Sequence, residues 1–422
     1  MMFGRLPALS LLCSLAAVVA LSGCAAEKGP SDAGSLDAGV VDAGAGCTDR
    51  SSWPGIPQAA DVVHKKGPYL MYTDGDSIIV RWETETETAS VVEYGESETL
   101  GLRATGEAAT IHQVTLTGLK AGKKYFYRAG DDATMSGVLT ASTAPGPDTP
   151  FRFAAFGDSQ DNPEVVAKNF ANVAKSGASL IVHTGDMVGA GYNYDDWERT
   201  LFGPGRAVMH RIPLFSAMGN HDNKSPSWWY EFLAYPFPPG DPLHMRYYSY
   251  TWGDAFFVNM EGDSYTGIAD DPQGVFVKQA FSTLAARRAK YRILAVHQPA
   301  WSEYWGGCDF DGDPRIRDNL VPILEEKGVS LVLNGHTHYY QRASVLHGKY
   351  DPVNGIKHVI TGGGGGGIEE EKCTSFDFVE AYALKWHITV AEVGCSSMKV
   401  RAIDIDGNEL DSFEIPARKL AE

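Results

Sequence analysis

Positive charge, cysteines at CxxC spacing and a phosphate-binding lysine motif are scarce or missing in this 422-residue chain. Lysine and arginine total 36 against 53 aspartate and glutamate residues, which gives a formal net charge of -17. No basic cluster can neutralise a phosphate backbone, so a nucleic-acid partner is not expected. The four cysteines after position 24 show no CxxC spacing, which argues against a thiolate zinc site. No Lys-Ser or Lys-Thr pair follows the glycine run at 362–367, so this run is not a Walker loop.

The first 24 residues carry the signals of an exported lipoprotein. Arg5 precedes the apolar segment LPALSLLCSLAAVVALSGC, and its last four residues, LSGC, resemble the lipobox of bacterial lipoproteins. The resemblance implies removal of residues 1–23 and diacylation of Cys24. The two alanines after Cys24 resemble the outer-membrane sorting pattern. A transmembrane anchor is the alternative, but the segment is short and a polar linker follows it. We therefore expect an exported protein with a lipid anchor, at the outer membrane or at the cell surface or periplasm.

Composition divides the rest of the chain into a linker and two folded parts. Residues 24–58 repeat Asp-Ala-Gly and have too few large apolar residues to fold. Residues 59–146 contain short alternating strands between turn residues, which predicts an all-β sandwich of fibronectin III type. In residues 150–418 strands alternate with helices, which predicts a largely parallel core sheet with antiparallel members. One helix is predicted to follow the cap Asn162, with Pro163 at its first position and Gly177 at its end.

Polar residues follow five predicted strands of the second part at their carboxyl ends, where ligand sites form in open α/β sheets. They are Asp158, Asp186, the pair Asn220 and His221, His297, and the pair His336 and His338. A glycine precedes the polar residue at four of the five ends, and glycine lets the backbone turn sharply and approach an ion. His336 and His338 are two positions apart, so in an extended chain both imidazoles point the same way.

Carboxylate, amide and imidazole groups together suit hard or borderline divalent ions. The set is larger than one ion needs, whereas two ions ~3.5–4 Å apart that share a carboxylate would use all of it. The sequence therefore predicts a dinuclear metal centre.

The same residues lie in blocks that resemble those of a known enzyme family. GD at 157–158, GD at 185–186, GNHD at 219–222, VH at 296–297 and GHTH at 335–338 resemble the blocks of calcineurin-like metallophosphoesterases. The resemblance covers roughly residues 150–365 and implies an α/β (α+β) sandwich of mixed sheets flanked by helices. The β module, with PYLMYTDGDSIIVRWET and LTGLKAGKKYFYRAG, resembles the N-terminal domain of purple acid phosphatases.

The resemblance also implies a role for each residue. It places Asp158, Asp186 and His338 on a first metal ion, and Asp186, Asn220, His297 and His336 on a second, with Asp186 as the bridge. It implies that His221 binds no metal and instead stabilises or protonates the leaving oxygen of the substrate. Asp222 either orients the His221 imidazole or is a turn residue.

Two departures from the family pattern bear on the metals. Purple acid phosphatases carry a tyrosine three residues after the second aspartate, and its phenolate on ferric iron gives their colour. This chain has Gly189 there, and Tyr192 and Tyr194 have the wrong spacing, so a ferric–tyrosinate centre is not expected. The ions are expected to be iron, zinc or manganese. Related phosphoesterases often have a histidine two residues after the first aspartate, where this chain has Gln160. Its amide either ligates weakly or hydrogen-bonds a ligand or a metal-bound water.

Several other features have simpler interpretations. His183 is predicted to be a buried core histidine, and the glycine run to let a loop pass close to the metals or hinge there. Trp301, Tyr304 and Trp305 either line the substrate pocket or pack at its rim. An exported protein lies in an oxidising compartment, so two disulfides are expected. Of the three possible pairings, Cys308–Cys373 with Cys47–Cys395 is preferred.

The expected activity is hydrolysis of a small phosphorylated substrate, a phosphate monoester, by a metal-activated hydroxide, as in acid phosphatases. A phosphodiesterase or nucleotidase on the same site is one alternative. A surface binding protein with a silent catalytic part is another, although the complete ligand set argues against it.

Overall fold

The computed structural model describes residues 63–237 and 243–420. The predicted signal peptide, the lipidation site Cys24, the linker to residue 58 and Cys47 lie outside the described residues. Within the two described ranges, no helix is long and apolar enough to cross a membrane. All described residues belong to one compact unit.

Five antiparallel strands form the N-terminal β module. They are β1 (Lys66–Thr73), β2 (Ile78–Gly95), β3 (Leu102–Leu116), β4 (Lys124–Gly130) and β5 (Leu139–Ser142). The long β2 pairs with β1 along its first half, with β4 along its second half and with β3 along both, so one sheet results. Trp82, Val92 and Tyr127 are fully buried in its core. The predicted all-β module is confirmed, and its fibronectin III-like form stays a prediction.

The strands of the second part begin at residue 151. They are β6 (Phe151–Phe156), β7 (Leu180–His183), β8 (Leu214–Ser216), β9 (Tyr247–Trp252), β10 (Ala255–Met260), β11 (Tyr291–Val296), β12 (Leu331–Asn334), β13 (Tyr340–Leu346), β14 (Lys349–Tyr350), β15 (Ile356–Thr361), β16 (Val379–Ala383), β17 (His387–Val393), β18 (Ser397–Asp404) and β19 (Glu409–Pro416).

These strands form two mixed sheets. In the six-stranded sheet, β6, β7 and β8 are parallel neighbours, and β17, β18 and β19 extend it antiparallel from β6. In the eight-stranded sheet, β10, β11, β12 and β15 are parallel, and β9 and β13 flank them antiparallel. Aromatic rings join the two sheets: Phe153 contacts Phe257 edge-on at 5.4 Å, and Phe215 stacks on Tyr250 at 4.0 Å. The predicted sandwich of mixed sheets is confirmed.

The helices are short and connect the strands. They are α1 (Pro163–Ser176), α2 (Tyr194–Trp197), α3 (Gly203–Met209), α4 (Ser227–Phe232), α5 (Pro272–Ala280), α6 (Leu284–Arg288) and α7 (Val321–Glu326), with π-helical segments at Glu198–Phe202 and Ile316–Leu320. In α1 the Asn162 side chain accepts hydrogen bonds from the backbone N–H of Glu164 and Val165. Gly177 ends α1 in the left-handed region at φ 72°, so its predicted caps are confirmed.

A buried ion pair inside the β module contacts Tyr194 of the second part. Lys66, whose side chain is 1% exposed, donates to Glu83 at 2.6 Å, and its ammonium lies 3.7 Å from the ring centre of Tyr194. Tyr194 donates its hydroxyl to the second oxygen of Glu83 at 2.6 Å. Arg81 of β2 also donates to the carbonyl of Leu233, just after α4. The β module is therefore bound to segments that follow the second and third predicted metal blocks.

Candidate metal centre

The two sheets contribute different chemical groups to the predicted site. Asp158, Asp186 and Asn220 follow β6, β7 and β8 of the six-stranded sheet, and all three offer oxygen. His297 follows β11 of the eight-stranded sheet, and His336 and His338 follow β12, so this sheet offers imidazole nitrogen. Because parallel strands end at the same edge, both groups meet where the carboxyl edges of the two sheets face each other.

Four of these side chains meet at the centre of the site. Nε2 of His297 lies 3.2 Å from Oδ2 of Asp186 and 3.0 Å from Oδ1 of Asn220. The same Asn220 oxygen lies 3.0 Å from Nδ1 of His336. One ligand atom from each of Asp158, Asp186 and His297 lies within 4.8 Å of the other two. These distances allow the side chains to share bound cations after small rotations.

The hydrogen bonds of two histidines show which ring nitrogen faces the site. Nδ1 of His297 lies 2.8 Å from the carbonyl of Thr184, and Nδ1 of His338 lies 2.8 Å from the carbonyl of Gly367. A carbonyl only accepts, so each Nδ1 carries a proton and each ring turns its Nε2 towards the site. Nε2 of His338 then faces Oδ1 of Asp158 at 3.6 Å. A carbonyl acceptor on the second ring nitrogen is the usual arrangement of a metal-bound histidine.

Asp158 supplies a further test of fit. It is fully buried, and its Oδ2 has no hydrogen-bond partner in the described part of the chain. Leaving a buried carboxylate oxygen unpaired is costly unless a cation binds it. The oxygen and imidazole groups of this site fit divalent ions, and the side chains that would hold them are Asp158, Asp186, Asn220, His297, His336 and His338.

The electrostatics of the site favour positive charge. Burial alone would lower the pKa of His297, but the carboxylates of Asp186 and Asp158 outweigh burial and raise that pKa to about 10. Burial and the nearby Asp186 carboxylate raise the pKa of Asp158 well above its ordinary value, although the charge of His297 opposes this. For Asp186, burial opposes ionisation, but His297 and His221 outweigh it and lower the pKa. Bound metal ions would satisfy the same carboxylates without a proton.

The backbone around the site requires the glycines seen in the sequence. A methyl group on Gly219 would lie 2.1 Å from Oδ1 of Asp186, and one on Gly335 would lie 2.4 Å from Oδ2 of Asp158. Asp158, Asp186 and His336 themselves have positive φ, at 60°, 54° and 69°. Such backbone conformations are strained for these residues and are concentrated at functional sites.

His221 lies beside the ligands without pointing its Nδ1 at them. Its backbone N–H donates to Oδ1 of Asp186 at 2.7 Å, and its Nδ1 lies 2.7 Å from the carbonyl of Gly189. Nδ1 also lies 3.1 Å from the ammonium of Lys224, a cation at the site that the sequence analysis did not single out. The carbonyl of Gly189 can hold the Nδ1 proton, which leaves Nε2 for a substrate.

The sequence left two roles open for Asp222, and its contacts in the structure match those of a turn residue. The carboxylate of Asp222 accepts from the backbone N–H of Asp186 at 2.8 Å, Met187 at 2.9 Å and Gly219 at 2.9 Å. Burial and the Asp186 charge raise the pKa of Asp222 to about 7. Asp222 therefore connects the second block to the third, and both of its carboxylate oxygens accept hydrogen bonds from backbone N–H groups.

Gln160 lies next to the predicted ligands. Its Nε2 is 3.3 Å from Nε2 of His338, and its Oε1 is buried without a partner in the described residues. The two amide atoms are interchangeable in this position, so the amide can donate to the His338 nitrogen or present oxygen to a cation. Both alternatives that the sequence left open keep Gln160 at the site.

The other residues that the sequence singled out have structural roles. His183 is fully buried and contacts the Ser159 hydroxyl at 3.2 Å, so it is the predicted core histidine. In the glycine run, Gly366 donates to the carbonyl of Asp158 at 2.8 Å, so that loop passes close to the site as predicted. Tyr194 is bound to the β module, and Trp301 is buried against His358.

Of the three aromatic residues that the sequence singled out after the fourth block, Trp305 contacts a predicted ligand. It stacks on His336 with ring centres 5.1 Å apart. Phe310 contacts the same imidazole at 5.0 Å. The sequence analysis missed Phe310, along with the carbonyls of Thr184 and Gly367. A phenylalanine in a loop and a backbone carbonyl carry no pattern that would identify them.

The structure joins Cys308 to Cys373 in a disulfide, the pairing preferred from the sequence. Cys395 is also disulfide-bonded, and its preferred partner, Cys47, lies outside the described residues.

Family models match both parts of the chain. Residues 151–340 match the model described as calcineurin-like phosphoesterase. Residues 66–143 match the model described as purple acid phosphatase, N-terminal domain.

Curated relatives and solved structures agree with these matches. Purple acid phosphatase 1 of Ipomoea batatas is 26% identical over 314 residues, which cover 67% of this chain and 65% of that protein. The chain thus spans somewhat less than two thirds of that relative, and 58% of an uncharacterised Mycobacterium tuberculosis protein that is 25% identical. The structure of purple acid phosphatase PPD1 from yellow lupin superposes with a TM-score of 0.73 at 16% identity, over 84% of this chain and 75% of that one. The structure of PhoD has a TM-score of 0.62 at 13% identity, over 88% of this chain and 94% of that one. At these identities the two superpositions show the fold.

Proposed function

Because the chain joins a purple acid phosphatase N-terminal domain to a calcineurin-like phosphoesterase domain, we propose that it hydrolyses phosphate monoesters at a dinuclear metal centre. Phosphoester hydrolysis is the chemistry of calcineurin-like phosphoesterases. What we propose beyond it is that the substrate is a monoester and that two metal ions bind. The single observation that supports it best is the arrangement of imidazole and carboxylate groups. His297 and His338 direct ring nitrogens at the carboxylates of Asp186 and Asp158 while carbonyls hold their other ring protons.

Divalent ions bound there would lower the pKa of water from about 15.7 towards about 7 and offset phosphoryl charge. The chain itself holds the reacting groups in place. Asp186 lies between the two predicted ligand sets, and its Oδ1 accepts from the backbone N–H of His221 at 2.7 Å. This bond fixes the start of the His221 turn relative to the ligands, which favours a constant distance between the metals and the imidazole.

His221 is the proposed general acid. The carbonyl of Gly189 holds its Nδ1, so Nε2 can carry a proton to the leaving oxygen of the ester. Lys224, with its ammonium 3.1 Å from Nδ1 of the same ring, adds positive charge beside the His221 imidazole. The substrate class proposed is a small phosphate monoester. Anchoring to a membrane through Cys24 stays a proposal from the sequence.

The test is hydrolysis of p-nitrophenyl phosphate against bis-p-nitrophenyl phosphate. The protein is the chain from Cys47 onward, loaded separately with zinc, manganese and iron. Asp186→Ala removes the predicted bridging carboxylate. Asp195→Ala, an exposed aspartate nine residues further on, is the matched control.

Faster monoester cleavage that vanishes in Asp186→Ala and persists in Asp195→Ala would support the proposal. Faster diester cleavage would replace it with a phosphodiesterase. No turnover by a chain that holds both ions would favour a silent binding protein.

A further inference from the structure

The three histidines proposed as ligands are oriented in two different ways. His297 and His338 each have a backbone carbonyl on the ring nitrogen that points away from the site, that of Thr184 and that of Gly367. His336 directs Nδ1 to the Asn220 oxygen at 3.0 Å. In the part of the chain that the structure describes, no acceptor lies on its Nε2. Among the described residues, His336 therefore lacks the outward hydrogen bond that fixes the ring rotation of His297 and His338.

Two aromatic rings contact His336 instead. Trp305 stacks on it with ring centres 5.1 Å apart and planes 23° apart. Phe310 approaches the same imidazole edge-on, at 5.0 Å and 75°. The two rings also contact each other at 5.1 Å. One ring is therefore stacked on the imidazole and the other is nearly perpendicular to it, and such aromatic contacts favour defined orientations.

Trp305 and Phe310 belong to the loop at residues 302–311, here called the aromatic loop. Several bonds tie it to residues 368–373, here called the acidic loop. Cys308 and Cys373 form the disulfide, and the backbone N–H of Trp305 donates to the carbonyl of Glu371 at 3.1 Å. Tyr304 and Lys372 form an isolated antiparallel bridge.

Buried Glu303 anchors the aromatic loop further. Its carboxylate accepts from the backbone N–H of Phe376 at 2.7 Å and pairs with the ammonium of Lys372 at 3.0 Å. Its own backbone N–H donates to the hydroxyl of Tyr339, the residue after His338, at 2.8 Å. The aromatic loop is thus held both by the acidic loop and by the strand that begins beside the site.

We infer that Trp305 and Phe310 are positioning residues for His336, and that the Cys308–Cys373 disulfide holds them in place. The inference rests on the proposed metal centre and adds a requirement to it. The rings replace the hydrogen bond that orients the other two histidines, so metal affinity depends on them. Thiols stay reduced in a cytosol-like compartment, so a chain kept there would lack the cross-link and bind metal less tightly at the His336 side.

The test is equilibrium competition for zinc between the chain from Cys47 and a chromophoric chelator. Loss of a group that orients a metal ligand lowers affinity by roughly 10- to 100-fold, so Trp305→Ala should weaken zinc binding at the site of His336 at least about tenfold. The paired change Cys308→Ser with Cys373→Ser should weaken it in the same direction. Trp305→Phe keeps a ring over His336 and should stay near the parent.

Tyr382→Ala is the matched control, because Tyr382 is an exposed aromatic residue that contacts Tyr304 of the same loop at 5.2 Å. It should bind zinc like the parent. Circular dichroism of the metal-free variants checks folding, and Phe310→Ala carries the test if Trp305→Ala does not fold.

The outcomes separate this inference from the proposed function. A parent chain that binds no metal would overturn both. A parent that binds two ions, with Trp305→Ala or Phe310→Ala binding both at parental affinity, would overturn the positioning role alone. Weaker zinc binding by Trp305→Ala, together with near-parental zinc binding by Trp305→Phe, would support the positioning role.

Discussion

Adding one methyl group at Gly219 tests the geometry of the proposed metal centre. The new carbon would lie 2.1 Å from Oδ1 of Asp186 and 2.3 Å from its backbone nitrogen, whereas ordinary contacts begin at 3.4 Å. Relief of the closer contact requires a movement of about 1.3 Å, the difference between 3.4 and 2.1 Å. The proposed bridging carboxylate or the turn that carries Asn220 must move. A misplacement of about 1 Å costs on the order of 100-fold in rate, or about 2.7 kcal/mol.

The assay is kcat/KM for p-nitrophenyl phosphate with the most active metal, together with the zinc content of each purified protein. Gly146→Ala is the control, because a methyl group there would meet no atom within 4 Å and Gly146 is not part of the proposed site. We expect about a 100-fold loss in Gly219→Ala and parental activity in Gly146→Ala. Gly219→Ala with activity within about threefold of the parent would refute the argument that Asp186 must lie where the structure places it.

Three further predictions concern other parts of the molecule. Glu83→Ala leaves Lys66 buried without its carboxylate and should lower the free energy of unfolding by about 3–5 kcal/mol in urea titrations. The control Glu85→Ala, at an exposed glutamate, should lower the free energy of unfolding by no more than about 0.5 kcal/mol. Equal losses in the two variants would contradict a stabilising role of the Lys66–Glu83 pair. His221→Ala should slow alkyl phosphates more than p-nitrophenyl phosphate, which needs little proton donation; equal losses would exclude His221 as the acid. Burial lowers the pKa of His112 from 6.5 to about 4, so the unfolded chain binds the extra proton between these values. The free energy of unfolding should therefore fall as pH falls from 6.5 to 4, and His112→Gln should reduce that slope, whereas an unchanged slope would contradict this assignment.

Local signals in the sequence were enough to place the individual elements. Asn162, Pro163 and Gly177 mark the limits of α1 because caps depend on neighbouring backbone groups only. The glycine before each of Asp158, Asp186, Asn220 and His336 is likewise readable along the chain. The spacing of these blocks was sufficient to predict a dinuclear site, since each ligand simply follows a buried strand.

Roles that depend on distant contacts were not readable. The sequence left open whether Asp222 orients His221 or is a turn residue. In the structure its carboxylate accepts from backbone groups of Asp186 and Met187, which are 36 and 35 residues away. The aromatic contacts of Trp305 and Phe310 with His336 were not foreseen either. The loop that carries both rings is joined by a disulfide across 65 residues of sequence, and no local pattern shows which residues such a loop will contact.

The order of the strands shows the same division between local signals and long-range contacts. Alternating strands and helices predicted a largely parallel core, but the pairing of β17 with β6 and of β15 with β12 is long-range and divides the strands into two sheets. The sequence by itself determined which residues can bind metal, because ligand chemistry belongs to the side chain. Only the tertiary structure decided that oxygen ligands come from one sheet and imidazoles from the other, and which groups orient them. Those relations follow from the packing of segments far apart in the chain, where hydrophobic burial rather than local spacing sets the neighbours.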